Sequence, residues 1–426
     1  MRFVRGHGNS CKKRLKSETV MKILTINAAL ILFLFVQFVS AHEEHGDIKS
    51  SPQKMWSDAL LREKALAMSV AFDGQGRLWR ASVKDRYVRV DFSDDTGKTF
   101  SSSVQVNLQA EAVGADGDSR PKIALGKRGE VYVSWTMLLD KPYTGNVRFS
   151  RSLDGGKTFS APLTVNDNLE VIGHRFDALT VGDDGAIYLA WLDKRDLNSA
   201  KSRGEKYGGS ALYYAVSDNN GESFAANVKL ADHSCDCCRI ALAAPGKGAP
   251  VAFWRHDFED NIRDHALARL DGKSSMRRVT HDEWKIEACP HHGPAMSIAS
   301  DNIYHLAWFD NGPKAHGLFY AQSRDEGLSF SAALHFGDDT HNAAHPDVLS
   351  LGQEVFLVWK EFDGEVSSVQ MKRSHDGGVS WSQARSVALT HDASDHPQLV
   401  ARAGQMWLSW NSKQEGYRLI ALEDVR

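Results

Sequence analysis

One eight-residue pattern, Ser-x-Asp-x-Gly-x-Ser/Thr-aromatic, recurs five times along this chain of 426 residues, with Asn in place of Asp in the third copy. Five copies are hard to produce by chance, and internal repetition of this kind restricts a chain to solenoid, propeller or array architectures. The copies are SDDTGKTF at 93–100, SLDGGKTF at 152–159, SDNNGESF at 217–224, SRDEGLSF at 323–330 and SHDGGVSW at 374–381.

The residue types of the pattern are those of a tight turn between two β-strands. The third residue offers an oxygen that caps backbone N–H groups, the glycine takes a left-handed backbone conformation, and the aromatic residue covers the core beneath the turn. We therefore predict a structural role for the third-position residues, which are Asp95, Asp154, Asn219, Asp325 and Asp376.

A second recurring feature is an apolar, strand-like stretch that ends in tryptophan. Seven such stretches occur, and residues 42–426 divide into seven units of about 55 residues. Four short strands per unit, repeated around a circle, make a β-propeller. The predicted fold class is therefore all-β, a propeller of four-stranded blades, with seven blades preferred and six, as in sialidases, the alternative. Seven tryptophans are expected at equivalent places between blades: Trp79, Trp135, Trp191, Trp254, Trp308, Trp359 and Trp410.

The five copies resemble the Asp-box, or BNR, repeats of the sialidase superfamily, and the resemblance covers about residues 65–426. It implies a propeller whose repeat turns lie at the periphery, on the face opposite the binding site. It implies little about chemistry, because the superfamily includes sialidases, other glycosidases and non-catalytic propellers. The Phe/Tyr-Arg-Ile-Pro motif of sialidases is absent here, so no catalytic residue is carried over.

The first 41 residues predict export. They carry a net charge of +6, an apolar run at 28–36 and a small-residue end at Val39-Ser40-Ala41, as a signal peptide does. Met21 is the more natural start, so residues 1–20 are interpreted as an upstream extension. Residues 42–64 then form an N-terminal tail with a possible ring-closing strand near 58–64, and 65–426 form the propeller. An uncleaved anchor is the alternative, although the run is short for a bilayer.

Charge and export narrow the expected location and partners. Residues 42–426 carry a net charge of -9, which repels phosphate backbones, so we expect no nucleic-acid partner. We expect a periplasmic or secreted protein with no stable membrane insertion after signal cleavage. A small molecule, a glycan or a metal ion remains as the ligand.

Cysteine and histidine are concentrated where propellers bind ligands. Residues just before the inner strand of each blade converge at the mouth of the central channel. Thiolates and imidazoles at such density suit zinc or copper, and the candidate ligands are His233, Cys235, Cys237, Cys238, Cys289, His291 and His292. Disulfides are an open alternative, because four cysteines in an exported protein also suit two bridges, and free buried thiols are a third. The metal and disulfide interpretations both require Cys289 to lie close to one of the other three cysteines.

The same face of the propeller also concentrates positive charge. Guanidinium groups bind carboxylates in a bidentate manner, and histidines at such a mouth suit ligand or acid–base roles. The candidate ligand-binding residues are Arg120, Arg175, Arg239, Arg255, Arg263, His345 and His396. Salt bridges to Asp232, Asp236 and Asp264, and capping of the inner strands by His-Pro pairs, are the structural alternatives.

These features favour an exported propeller that binds a ligand or metal at a Cys/His-rich channel mouth, with copper or zinc as the expected cofactor. One alternative is a glycoside hydrolase of the sialidase type, for which the sequence identifies no catalytic pair. A weaker alternative is a non-catalytic scaffold for assembly or interaction. Whether the protein is an enzyme stays open at this point.

Overall fold

The computed structural model describes residues 65–288 and 290–422. These residues form seven antiparallel sheets, six of four strands and one of three, arranged as the blades of a β-propeller. The preferred seven-bladed architecture is therefore confirmed. Within the described residues, no helix is both long enough and apolar enough to cross a membrane.

Strands that follow one another in sequence are neighbours in each sheet, from an inner strand to an outer one. Blades one to three comprise β1 (Ser69–Phe72), β2 (Leu78–Lys84), β3 (Tyr87–Ser93), β4 (Val104–Gln105), β5 (Lys122–Leu125), β6 (Val131–Leu138), β7 (Gly145–Ser152), β8 (Leu163–Thr164), β9 (His174–Val181), β10 (Ile187–Asp193), β11 (Ser210–Ser217) and β12 (Val228–Ser234). A short helix, α1 (Arg195–Ser202), connects β10 to β11.

The remaining blades follow the same plan. Blades four to seven comprise β13 (Ala241–Ala243), β14 (Val251–Arg255), β15 (His265–Arg269), β16 (Arg277–Arg278), β17 (Ala295–Ile298), β18 (Tyr304–Asn311), β19 (His316–Ser323), β20 (Leu334–Phe336), β21 (Ala344–Leu351), β22 (Glu354–Phe362), β23 (Ser367–Ser374), β24 (Arg385–Thr390), β25 (Gln398–Arg402), β26 (Gln405–Ser412) and β27 (Gly416–Ala421). Single 3-10 turns lie at Glu259–Asn261 and Asp339–His341.

The inner strands form a closed ring. Each inner strand lies beside those of the two adjacent blades, and β25 of the last blade lies beside β1 of the first. Residues just before β1 take part in this closure, because the Leu66 carbonyl accepts a hydrogen bond from Asn411 Nδ2 at 2.9 Å. The ring-closing strand predicted near 58–64 and the predicted signal peptide lie outside the described residues.

Six of the seven tryptophans are wedges between blades, as expected. Trp79 is the exception, and its predicted equivalence is wrong. In β2, Leu78 pairs with Ser93, the first residue of the repeat turn, and Trp79 is the next residue. In β6, Val131 pairs with the equivalent Ser152, and Trp135 lies four residues further on. The position in β2 that is equivalent to Trp135 is therefore Ser82. Trp79 therefore packs toward the second blade. The other six are at least 97% buried in cores shared with the preceding blade: Trp135, Trp191, Trp254, Trp308, Trp359 and Trp410.

The five repeat turns connect the third and fourth strands of their blades and share one hydrogen-bond pattern. In the second blade, Asp154 accepts from Ser152 Oγ at 2.7 Å, from Thr158 N at 3.0 Å and from Thr158 Oγ1 at 2.6 Å. The hydrogen bonds from Thr158 and Ser152 hold the pKa of Asp154 well below its usual range. The glycine also packs closely, since a Cβ on Gly156 would collide with the Trp79 ring of the preceding blade.

Candidate functional site

A buried ion pair joins the chain before β5 to the chain before β25. Arg120 Nη2 lies 2.7 Å from Asp395 Oδ1, and Arg120 Nη1 lies 2.8 Å from Asp395 Oδ2. Arg120 Nη1 also donates to the Met68 carbonyl at 2.8 Å. Burial raises the pKa of Asp395, and the Arg120 charge opposes that shift. This pair therefore connects the segments that lead into the inner strands of the first, second and seventh blades.

Arg239, which lies just before the inner strand of the fourth blade, also connects segments of several blades. Its Nη1 donates to Asp118 Oδ1 at 3.1 Å, its Nε to the Pro294 carbonyl at 3.0 Å and its Nη2 to the Pro346 carbonyl at 2.7 Å. Asp118 and Pro294 precede the inner strands of the second and fifth blades, and Pro346 lies within the inner strand of the sixth. The interblade connections thus converge at one channel mouth, as the propeller topology predicts.

Three histidines stack at this mouth. The His345 and His396 rings lie 3.5 Å apart between centroids at an interplanar angle of 15°, and His292 lies 5.2 Å from His345. Burial lowers the pKa of both His345 and His396 well below the usual range, and neighbouring cationic groups lower it further. The two imidazoles are therefore neutral at pH 7.

The cysteines that follow β12 form a compact group. Cys235 Sγ lies 3.8 Å from Cys237 Sγ and 3.8 Å from Cys238 Sγ, and all three residues are buried and free of disulfides. Hydrogen bonds from the Cys237 and Cys238 thiols lower the pKa of Cys235, and the charges of Arg255 and Arg263 act in the same direction. A thiolate is thus favoured at Cys235.

The other predicted metal ligands are placed differently. His233 packs on the Tyr207 ring at 4.4 Å, and His291 is exposed. Among the described residues, the three cysteines form a metal-sized group that contains no histidine. Cys289 lies outside the described residues, so its proximity to the other cysteines stays a prediction.

Four of the five predicted arginines already have partners within the protein. Arg255 donates to the Arg263 carbonyl at 2.8 Å and the Phe309 carbonyl at 2.6 Å, and Arg263 donates to Asn261 Oδ1 at 2.7 Å. Arg120 and Arg239 are held as described above. The acidic partners of Arg120 and Arg239 are Asp395 and Asp118, not the expected Asp232, Asp236 or Asp264, which pair with Lys229, Lys194 and Arg278.

Arg175 differs from the other arginines. Its guanidinium makes no hydrogen bond to any residue within 65–288 or 290–422, and its Nε is buried. It lines a cavity of about 410 Å³ together with Asp116, His396 and Lys413. Burial lowers the pKa of Arg175, and the charge of Asp116 opposes that shift. Arg175 is therefore available to an anionic ligand.

The acidic partners of this site were not singled out from the sequence. Asp118 and Asp395 lie only one or two residues before Arg120 and His396, in the segments DSRP and DHP. The recurrence of an aspartate just before an arginine or a histidine was the signal available. Lys122 was also missed: its Nζ donates to the Arg120 carbonyl at 2.6 Å, and burial lowers its pKa to about 8.

Comparisons with known proteins identify the fold. No protein-family model matches the chain, and no curated protein matches it. Among solved structures, the polysaccharide lyase Uly1 is 8% identical, with a TM-score of 0.52 over 83% of this chain and 88% of that chain. The Hadza microbial sialidase Hz136 is 14% identical (TM-score 0.48, covering 80% and 75%). An α-L-arabinanase of Penicillium chrysogenum is 12% identical (TM-score 0.47, covering 72% and 92%). The similarity to Uly1 supports the propeller fold alone.

The buried ion pair gives a stability prediction. Arg120→Met leaves Asp395 buried without its cation, so unfolding should become easier by about 3–5 kcal/mol. The matched control is Lys127→Met, which breaks an exposed pair with Asp183 and should cost under about 1 kcal/mol. Urea unfolding measures both. Equal losses of unfolding free energy in the two variants would contradict the role given to Arg120. The double variant Arg120→Met/Asp395→Leu should be more stable than Arg120→Met alone, and no such recovery would also contradict it.

Proposed function

We propose that this protein is an exported Asp-box propeller, periplasmic or secreted, that binds a soft metal ion at its channel mouth. The ion is Zn²⁺ or Cu(I), held by the thiolates of Cys235, Cys237 and Cys238. Support for export comes from the charged, apolar leader, and support for the Asp-box assignment comes from the shared hydrogen bonds of the five turns.

The observation that carries the metal proposal is the spacing of the three sulfur atoms. A zinc–thiolate bond is about 2.3 Å, so two thiolates of a tetrahedral site lie about 3.8 Å apart. Cys237 and Cys238 each lie at 3.8 Å from Cys235. For tetrahedral zinc, Cys289 is the fourth ligand that the sequence suggests. Cu(I) needs no fourth ligand, because three sulfur atoms can complete its coordination.

Protonation supports the same assignment. Cys235 favours the thiolate, whereas hydrogen bonding to Cys235 raises the pKa of both Cys237 and Cys238. Metal binding would displace the remaining protons, so affinity should rise with pH. Arg263 and Arg255 would offset part of the negative charge of the thiolates.

Elemental analysis and thiol counting test this proposal. Protein purified from an oxidising compartment should contain about one zinc or copper ion per chain at this site, and Cys235→Ser/Cys237→Ser/Cys238→Ser should lose it. Ser234→Ala, a neighbouring buried change that keeps all the sulfurs, should retain the ion. Metal-free protein that cannot be loaded, and whose cysteines are paired when unfolded, would contradict the proposal in favour of disulfides.

A second candidate function is recognition of an anionic glycan, with or without cleavage. The specific support is Arg175, whose guanidinium has no hydrogen-bond partner in the described part of the chain and faces the 410 Å³ cavity. A guanidinium binds a sugar carboxylate through two parallel hydrogen bonds. The polysaccharide lyase Uly1 has a similar fold, which supports a glycan as the ligand, and the guanidinium of Arg175 supports an acidic one.

A panel of sialylated and uronate-containing oligosaccharides tests this second function. The wild-type protein should bind or cleave at least one member, and Arg175→Met should weaken binding at least about tenfold because the charged hydrogen bonds are lost. Arg263→Met, which alters an arginine already bonded to Asn261, is the matched control. Binding that is equal in wild type and Arg175→Met, or absent for the whole panel, would contradict the assignment.

A further inference from the structure

Besides the cysteines, a second group of side chains that could hold a metal ion lies at the channel mouth. Asp118, His345 and His396 precede or begin the inner strands of the second, sixth and seventh blades, yet one ligand atom from each lies within 4.8 Å of the others. Within residues 65–288 and 290–422, Asp118 Oδ2, His345 Nδ1 and His396 Nδ1 are buried and have no hydrogen-bond partner. An unsatisfied buried polar group costs about 1–3 kcal/mol. A ligand that bound all three side chains would remove that cost.

Neighbouring residues hold the three side chains in place. Arg239 occupies the other oxygen of Asp118, at 3.1 Å, which leaves Oδ2 available. Gly117 lies against the His396 ring, where any Cβ would collide with the imidazole. The His292 ring, which is not one of the three, stacks on His345 at 5.2 Å between centroids. Outer contacts of this kind orient the ligands of metal sites.

The donor set is suited to a metal ion rather than an anion. Two imidazole nitrogens and a carboxylate oxygen are donor atoms that a divalent transition ion takes, and the Nδ1 atoms of both rings receive no hydrogen bond from residues 65–288 or 290–422. An anion would instead need a free cationic group. Arg120 and Arg239 already have carboxylate partners.

We infer that Asp118, His345 and His396 form a second metal site, for a divalent transition ion such as Zn²⁺ or Cu²⁺. Two imidazoles and one carboxylate are the donors such ions take in proteins, and they differ from the sulfur donors of the cysteine group. His396 also lines the cavity that contains Arg175. An ion in this site would therefore face a ligand bound in that cavity.

Metal counting in full-chain variants separates the two sites. Protein stripped with a chelator is loaded with Zn²⁺, desalted and analysed by mass spectrometry. The cysteine triple variant described above should still hold about one zinc ion, and adding His345→Ala/His396→Ala should remove it. Asp118→Asn should weaken zinc binding more than about tenfold. The control is His375→Ala, an exposed histidine in a repeat turn, which should change nothing.

A spectroscopic measurement keeps the test independent of the cysteines. Cu²⁺ bound to the cysteine triple variant should show nitrogen couplings in its paramagnetic resonance spectrum, and His345→Phe/His396→Phe, which preserves the ring stacking, should abolish them. Any ion bound at the chain termini is present in every variant, so it does not affect the comparison between variants. The inference is overturned if the cysteine triple variant takes up no zinc, or if the histidine variants retain it. The cysteine proposal fails separately, when wild type and the cysteine variant hold equal metal.

Discussion

The ion pair between Arg120 and Asp395 determines how the ends of the propeller ring meet. Because both side chains are almost fully buried, neither charge can be solvated by bulk water if its partner is removed. The same guanidinium reaches the Met68 carbonyl, and Met68 N reaches Asp395 at 3.2 Å. The segments that lead into the inner strands of the first, second and last blades are therefore joined at this one contact.

Arg239 extends this network across the channel and gives the mouth its chemical character. It neutralises Asp118 and satisfies two backbone carbonyls, so little of its charge remains for an external ligand. Within residues 65–288 and 290–422, the groups at this mouth that remain for a ligand are of a different kind: the sulfur atoms after β12, the Nδ1 atoms of His345 and His396, and the guanidinium of Arg175. The sulfur and nitrogen atoms are metal ligands, and the guanidinium is an anion-binding group. Both proposed functions therefore use this face.

Much of the fold could be predicted because its signals are local. A repeat turn needs only eight consecutive residues, and the capping bonds of Asp154 show why those residue types recur. Trp79 was misplaced because strand register decides which face a side chain takes, and a shift of an odd number of residues reverses that face. Helix α1 was not anticipated, since its short polar sequence lies in a connection rather than in the repeat.

The candidate site was predictable in outline and not in detail. Propeller topology brings the interblade connections together, so the location of the cysteines and histidines followed from their place before the inner strands. Which arginine meets which aspartate depends on distances across the ring: Arg239 and Asp118 are far apart in sequence and 3.1 Å apart in space. Sequence spacing carries no information about such pairs, so the availability of Arg175 emerged only from the structure.

Anomalous X-ray scattering from crystals of the purified protein, recorded at the zinc and copper edges, tests the central claim most directly. The account predicts a peak bonded to the sulfur atoms of Cys235, Cys237 and Cys238 at about 2.3 Å. A map with no peak at that position, and with density joining one of these sulfurs to another cysteine, would contradict it.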